Sequence, residues 1–316
     1  MILRARERNA KINTSKGKQN KKHKHKTEVE KMLNVGEIGC GGRAKDHIKR
    51  LTEKIQGAQV VAVSDVFEEG AKEAAKIAGG AKVYTDGKDL INDPDVDAVF
   101  IVSPGFAHTE SLLQAIEAGK RVFCEKPLAT TADDCKKIVE AEVASGKHLI
   151  QLGFMRRYDK GYVQVKEALK SGEYGEPLIL HCTHRNPEVG TNYNTPMAVH
   201  DTAIHEIDTL HWLVDDEYES AQVIMPKVTK YSHSELKDPQ IMLLRTKRGI
   251  CIDVEVFVNC KFGYDINCEV VCEDGAIKMA QPSYPSIRKD AAVSTKIDTD
   301  CFVRFKVAYN FGSFQT

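Results

Sequence analysis

Six residues, Gly39-Cys40-Gly41-Gly42-Arg43-Ala44, lie between the apolar run 33–38 and a segment, 45–51, with helical apolar spacing. A strand, a tight turn and a helix in that order can hold a pyrophosphate. Gly39 supplies a backbone conformation that side chains disfavour, Gly41 lets the main chain approach the phosphates, and Ala44 is small where helix and strand pack. The helix start offers N–H groups to the anion. A second apolar run, 59–64, ends at Asp65, whose carboxylate could accept hydrogen bonds from adenosine ribose hydroxyls and repel a 2′-phosphate. Val66 and Phe67 follow, with no arginine directly after the carboxylate, so the pattern points to NAD rather than NADP.

A second constellation is Asp201 and His205. They stand four apart in a segment whose apolar positions (Ile204, Ile207, Leu210, Trp212) have helical spacing, which predicts that they share one helix face. Oxidation of a secondary alcohol requires loss of the hydroxyl proton, and histidine is the side chain best tuned to take it near neutral pH. His200 and His211 on the same stretch invite a metal, but His205-Glu206-Ile207-Asp208-Thr209 lacks the second histidine of H-E-x-x-H, so no metal is expected. The cysteines read the same way. The nearest pair, Cys268 and Cys272, has a C-x-x-x-C spacing in a strand-like run, which matches no usual zinc pattern; reduced core thiols are expected.

The elements that must carry these residues alternate. A helix at 68–78, a strand at 81–84, a helix ending before Asp93-Pro94 and a strand at 97–102 come first. The last ends at Ser103-Pro104, where a ligand over a sheet's carboxyl edge would lie. A helix at 108–118, a strand at 121–124, a helix at 132–144 and a strand at 148–152 complete an α/β domain over 32–152, a doubly wound Rossmann sheet of parallel strands. Strand-like runs at 221–225, 240–245, 249–258 and 264–271 predict an α+β domain over 153–316, built on a largely antiparallel open sheet.

The bulk composition excludes little else. Of 316 residues, 42% are hydrophobic and 28% charged, and no apolar run is long enough to cross a bilayer. The start carries positive charge without a following apolar stretch, so no secretory signal is expected and the cytoplasm is the expected location. Residues 1–31 hold eight Lys and three Arg against three Glu, a local excess in a chain of net charge zero. That segment is expected to be a disordered basic tail rather than a nucleic-acid-binding arm.

The strand at 121–124 is followed by Glu125-Lys126-Pro127. With the glycine turn and the segment 104–108, this resembles the Gfo/Idh/MocA oxidoreductase family, over residues 33–305. Four blocks narrow the resemblance to its inositol 2-dehydrogenases: Gly153-Phe154-Met155-Arg156-Arg157-Tyr158-Asp159, His184-Arg185-Asn186-Pro187, residues 201–212, and Gly263-Tyr264-Asp265-Ile266. The resemblance implies that Lys126, Asp201 and His205 form a catalytic set. It also implies that Ser103, Pro104, His108, Glu125 and Lys126 join the glycine turn and Asp65 around NAD, and that Arg156, His184, Asn186 and Tyr264 line a polyol pocket with Asp201 and His205. Chemistry alone does not separate Arg156 from Arg157; the family pattern favours Arg156. In these roles His205 is the general base, Lys126 stabilises the developing alkoxide and Asp201 positions the pair.

The implied reaction is oxidation of myo-inositol to 2-keto-myo-inositol by a homo-oligomer that pairs through the second sheet. Another inositol or a sugar is the alternative substrate. The family continues past the strand at 302–305 with helices, whereas residues 308–316 lose their apolar period and the sequence stops at Thr316. That implies a truncated second domain with exposed apolar surface and impaired stability, and a second alternative: an NAD-binding protein with impaired catalysis.

Overall fold

A computed structural model describes residues 32–279, together with the backbone of two short strands beyond them. The basic segment 1–31 and the C-terminal stretch 301–316 lie outside the described residues.

Six strands form the first sheet: β1 (Leu33–Ile38), β2 (Ala58–Ser64), β3 (Lys82–Tyr84), β4 (Ala98–Ile101), β5 (Arg121–Cys124) and β6 (Ile150–Leu152). All neighbours are parallel, in the order β3-β2-β1-β4-β5-β6. Every residue of β4 is buried, because a parallel sheet needs cover on both faces. The cover comes from α1 (Gly42–Glu53), α2 (Glu68–Ile77), α3 (Gly87–Asn92), α4 (His108–Glu117) and α5 (Ala132–Ser145). Two apolar clusters result, one including Val35, Ile48, Leu51 and Phe100, the other including Leu90, Ile101, Leu112 and Ile138. Local chemistry sets the helix ends. The Asp86 side chain accepts from Lys88 N at the start of α3, Thr131 accepts from Asp134 N at the start of α5, and Gly146 ends α5 in a left-handed conformation. The strand order reverses between β1 and β4, which opens a crevice at their carboxyl ends.

The second sheet runs β12-β11-β7-β10-β9-β8, from β7 (Pro177–Arg185), β8 (Tyr218–Ile224), β9 (Gln240–Thr246), β10 (Cys251–Phe257), β11 (Asp265–Cys272) and β12 (Ala276–Lys278). Only β7 and β10 pair in parallel. One face packs on α6 (Lys160–Ser171) and α7 (Ile204–Val214), and β11 shows why: Ile266, Cys268, Val270 and Cys272 turn inward at every second position. Strands β13 (Ser286–Lys289) and β14 (Ala292–Thr295) pair antiparallel. The sequence reading names neither α6 nor β7. The alternation of Leu180, Cys182 and His184, all buried, is the signal for β7, and Asp159, whose carboxylate accepts from Gly161 N and Tyr162 N, is the signal for the start of α6. Among the described residues no helix is long and apolar enough to cross a membrane.

Candidate active site

At the carboxyl end of β1, Gly39 has φ +91° and a Cβ there would stand 2.5 Å from Ser103 N, so only glycine fits. A Cβ at Gly41 or Gly42 would meet nothing within 4 Å. The protein therefore leaves space over this turn, and α1 begins beneath it with neither a side-chain cap nor an acidic residue in its first turn. Its first N–H groups and the exposed Arg43 suit an anion of pyrophosphate type. Ala44 is fully buried in the first-sheet core, and Cys40 is buried with its N–H donating to Asp65 Oδ2 at 2.7 Å. Asp65 Oδ1 accepts from Phe67 N at 2.9 Å. Each carboxylate oxygen keeps a second lone pair, so Asp65 can still accept from a ribose while it ties β2 to the glycine turn. Gly39, Asp65, Ser103 and Pro104 line one cavity of about 530 Å³, and Ser103 Oγ is buried there without a hydrogen-bond partner among the described residues. The residues present fit an adenine dinucleotide.

Two other residues read from sequence as cofactor contacts are used by the protein itself. The buried His108 places Nδ1 2.7 Å from the Pro127 carbonyl and Nε2 2.7 Å from the Ser103 carbonyl, bridging the loops that follow β4 and β5. Glu125, also buried, has Oε1 2.9 Å from His47 Nε2. Both shape the crevice from behind. Lys126, next along the chain, reaches out of the sheet edge, and its ammonium donates to the main-chain carbonyl of Asp201 at 2.9 Å. Burial lowers its pKa, opposed by the negative charges of Asp201 and Glu125.

Asp201 lies in a π-helical turn, Ala198–Ala203, that runs into α7, and His205 lies in the first turn of α7. The Asp201 carboxylate contacts His200 Nδ1 at 3.1 Å, so it is the peptide of Asp201, rather than its carboxylate, that holds Lys126. His205 is buried, with Nδ1 unpartnered among the described residues. Its pKa is held well below 6.5, first by burial and then by the positive charges of Arg156, Lys126 and Arg43. The ring is therefore neutral and able to accept a proton. Phe154 packs edge-on at 6.3 Å, His184 at 6.3 Å, and Tyr264 edge-on against His184 at 6.1 Å between ring centroids. Arg156 and His184 are buried and both engage Glu206, a residue that sequence reasoning treats only as part of a failed metal motif. Arg157 forms a two-bond pair with Asp208, which separates its role from that of Arg156. Asn186, just beyond β7, is held through its main chain: its N–H donates to Phe257 O at 2.9 Å and its carbonyl accepts from Cys260 N at 3.0 Å. The structure thus gathers Lys126, Asp201, His205, Arg156, His184 and Tyr264 at one edge of both sheets. Among the described residues no group of three or more His, Cys, Asp or Glu side chains is placed to hold a metal ion.

Residues 33–154 match the oxidoreductase family with the NAD-binding Rossmann fold, and residues 162–278 match the GFO/IDH/MocA C-terminal domain. The chain belongs to the Gfo/Idh/MocA family. Its members include an inositol 2-dehydrogenase of Pseudomonas syringae, 53% identical over 279 residues that span 88% of this chain and 83% of the relative. One from Klebsiella pneumoniae is 52% identical with the same coverage. The myo-inositol dehydrogenase of Lactobacillus casei, solved with NAD(H) and myo-inositol, superposes with a TM-score of 0.85 at 44% identity, over 88% of this chain and 83% of that one. As a Gfo/Idh/MocA member the chain is an NAD-dependent oxidoreductase.

Proposed function

We propose that this enzyme oxidises the 2-hydroxyl of myo-inositol to the ketone, giving 2-keto-myo-inositol. The observation that carries the reading is His205: a buried, neutral imidazole with an unpartnered nitrogen, in the turn after the Asp201 peptide that holds Lys126. An unpaired buried nitrogen costs about 1–3 kcal/mol, a cost removed when a substrate hydroxyl occupies it. Bound NAD supplies the hydride acceptor. His205 takes the hydroxyl proton as the hydride leaves carbon 2, so the substrate loses two hydrogens and two electrons and becomes a ketone. The Lys126 ammonium donates to the same oxygen and stabilises its developing negative charge. The Asp201 peptide fixes where that ammonium points. Arg156, His184, Asn186 and Tyr264 line the polyol side.

The names of relatives support inositol as substrate, and the polar lining supports a polyol over an apolar alcohol. The outer face of the second sheet, where Ile179, Ile224 and Leu243 are 37–40% exposed, supports pairing of two copies into a homo-oligomer. Free thiols such as Cys182 and Cys268, 3.5 Å apart, fit a cytoplasmic location. The reaction is tested with myo-inositol deuterated at carbon 2. Deuterium recovered in NADH, with 2-keto-myo-inositol as product, is expected; unlabelled NADH, or oxidation at another carbon, contradicts it.

A further inference from the structure

Glu206 takes no part in the reaction proposed for this site, yet it is 2% exposed on the face of α7 that also buries Thr209, Leu210 and Leu213. Its Oε1 accepts from Arg156 Nη1, and His184 Nδ1 lies 2.8 Å from its Oε2. One carboxylate therefore joins the turn Met155–Tyr158, β7 and α7. A ring nitrogen that close to a carboxylate oxygen carries the proton, so the 3.1 Å approach of Arg156 Nη2 to the same Nδ1 is a contact rather than a second hydrogen bond. With Nδ1 protonated, Nε2 of the neutral ring is an acceptor. Burial keeps His184 neutral, opposed by the charge of Glu206. Burial also disfavours ionised Glu206, but Arg156 and then His184 more than offset it and hold its carboxyl below the usual range.

We propose that Glu206 is the positioning residue of the polyol site: by binding Arg156 and His184 at once it fixes the Nδ1–H tautomer of His184, so that Nε2 faces the substrate as a hydrogen-bond acceptor. This rests on the polyol-oxidation reading, with His184 beside the substrate. It adds an order of dependence: Arg156 and His184 serve the substrate only in the arrangement that Glu206 imposes. A hydroxyl donates well to such a nitrogen, whereas a group that only accepts does not, so the device selects for hydroxyl donors at this position.

Glu206→Gln tests it because the amide keeps the shape of the acid. Its oxygen continues to accept from Arg156, its NH₂ then donates to His184 Nδ1, and the His184 proton is forced onto Nε2. Three results are expected. KM for the polyol rises about 10-fold, the effect of losing one hydrogen bond to the substrate, while affinity for NAD is unchanged. The acid limb of kcat/KM moves to lower pH, because a negative charge has left the surroundings of His205. Arg156, Lys126, Arg43 and the neutral His184 remain around His205, and Asp201 and Glu125 are the acids whose charges act on the neighbouring Lys126. Finally, the ¹⁵N spectrum of histidine-labelled protein, with the His184 signals identified by their loss in His184→Gln, shows Nδ1–H in the parent and Nε2–H in Glu206→Gln.

A merely structural role predicts lower thermal stability with the polyol KM and the pH profile unmoved. An Nε2–H His184 in the parent, the same tautomer in both proteins, or a parental polyol KM in Glu206→Gln each overturns the proposal. The parental spectrum is read without substrate and decides the tautomer even if the variant does not fold. Parental turnover decides the polyol reading separately.

Discussion

His205 is useful as a base only if it is unprotonated at working pH, and its neighbours enforce that. Burial and the nearby cations Arg156, Lys126 and Arg43 disfavour the imidazolium, and burial of Lys126 disfavours the ammonium. Both limbs of the bell-shaped kcat/KM profile are therefore expected below the ordinary values, the acid limb below 6.5 and the alkaline limb below 10.5. An acid limb at or above 6.5 argues against His205 as the base. Replacing it, in His205→Gln, is expected to lower kcat by about 10²- to 10⁴-fold with little change in NAD affinity, measured by turnover and by cofactor titration. Asp65 makes a different prediction. If its charge faces the adenosine ribose as proposed, Asp65→Ser weakens NAD binding and narrows the preference over NADP; equal loss for both cofactors contradicts that role.

Elements carry the second kind of prediction. Gly39 combines φ +91° with a 2.5 Å approach to Ser103 N, so Gly39→Ala must move the turn away from β4. A cost of about 1–3 kcal/mol is expected from the backbone conformation alone, with NAD affinity falling as well, read by melting with and without cofactor. In β1, Glu37 is fully buried, both oxygens lack partners among the described residues, and burial followed by the charge of Glu125 raises its pKa well above 4.5. The folded protein then holds a proton that the unfolded chain releases, so stability falls as pH rises above 4.5 toward the folded value. Glu37→Gln is expected to melt a few degrees higher than the parent at pH 8, with the gap shrinking toward pH 5; a constant gap contradicts the assignment. Legibility differs between elements for a physical reason. The strand-turn-helix at 33–53 and Asp65 are legible because their signals are local: an apolar run, a glycine where φ is positive, a carboxylate at a strand end. Glu206 is not, because its meaning depends on Arg156 and His184 arriving from elements 50 and 22 residues away. The resemblance names His108 as a cofactor contact, but its use of both ring nitrogens on the Ser103 and Pro127 carbonyls is tertiary and leaves no sequence signal.

At the scale of the molecule, two sheets of six strands meet at Lys126, which belongs to the edge of one and bonds the turn packed on the other. The sequence reading anticipates the parallel sheet and the largely antiparallel one, yet omits β7, the strand that makes the one parallel pair in the second sheet. Its inward positions end in the polar His184 and its outward ones carry Ile179 as well as His181 and Thr183, so the contrast between its two faces is weak in sequence. The outer face of that sheet makes a prediction of its own: Leu243→Glu is expected to shift the assembly toward smaller species by light scattering, and an unchanged mass contradicts pairing through this face. The central claim, that one site joins the dinucleotide crevice to a polyol pocket through Lys126, is tested most directly by NADH absorbance. Purified protein is mixed with NAD and myo-inositol, other inositols or glucose, beside Lys126→Ala. NADH formation that depends on myo-inositol and is lost in Lys126→Ala is expected; folded, NAD-binding protein that turns over none of these polyols, or turnover that survives in Lys126→Ala, would contradict such a joint site.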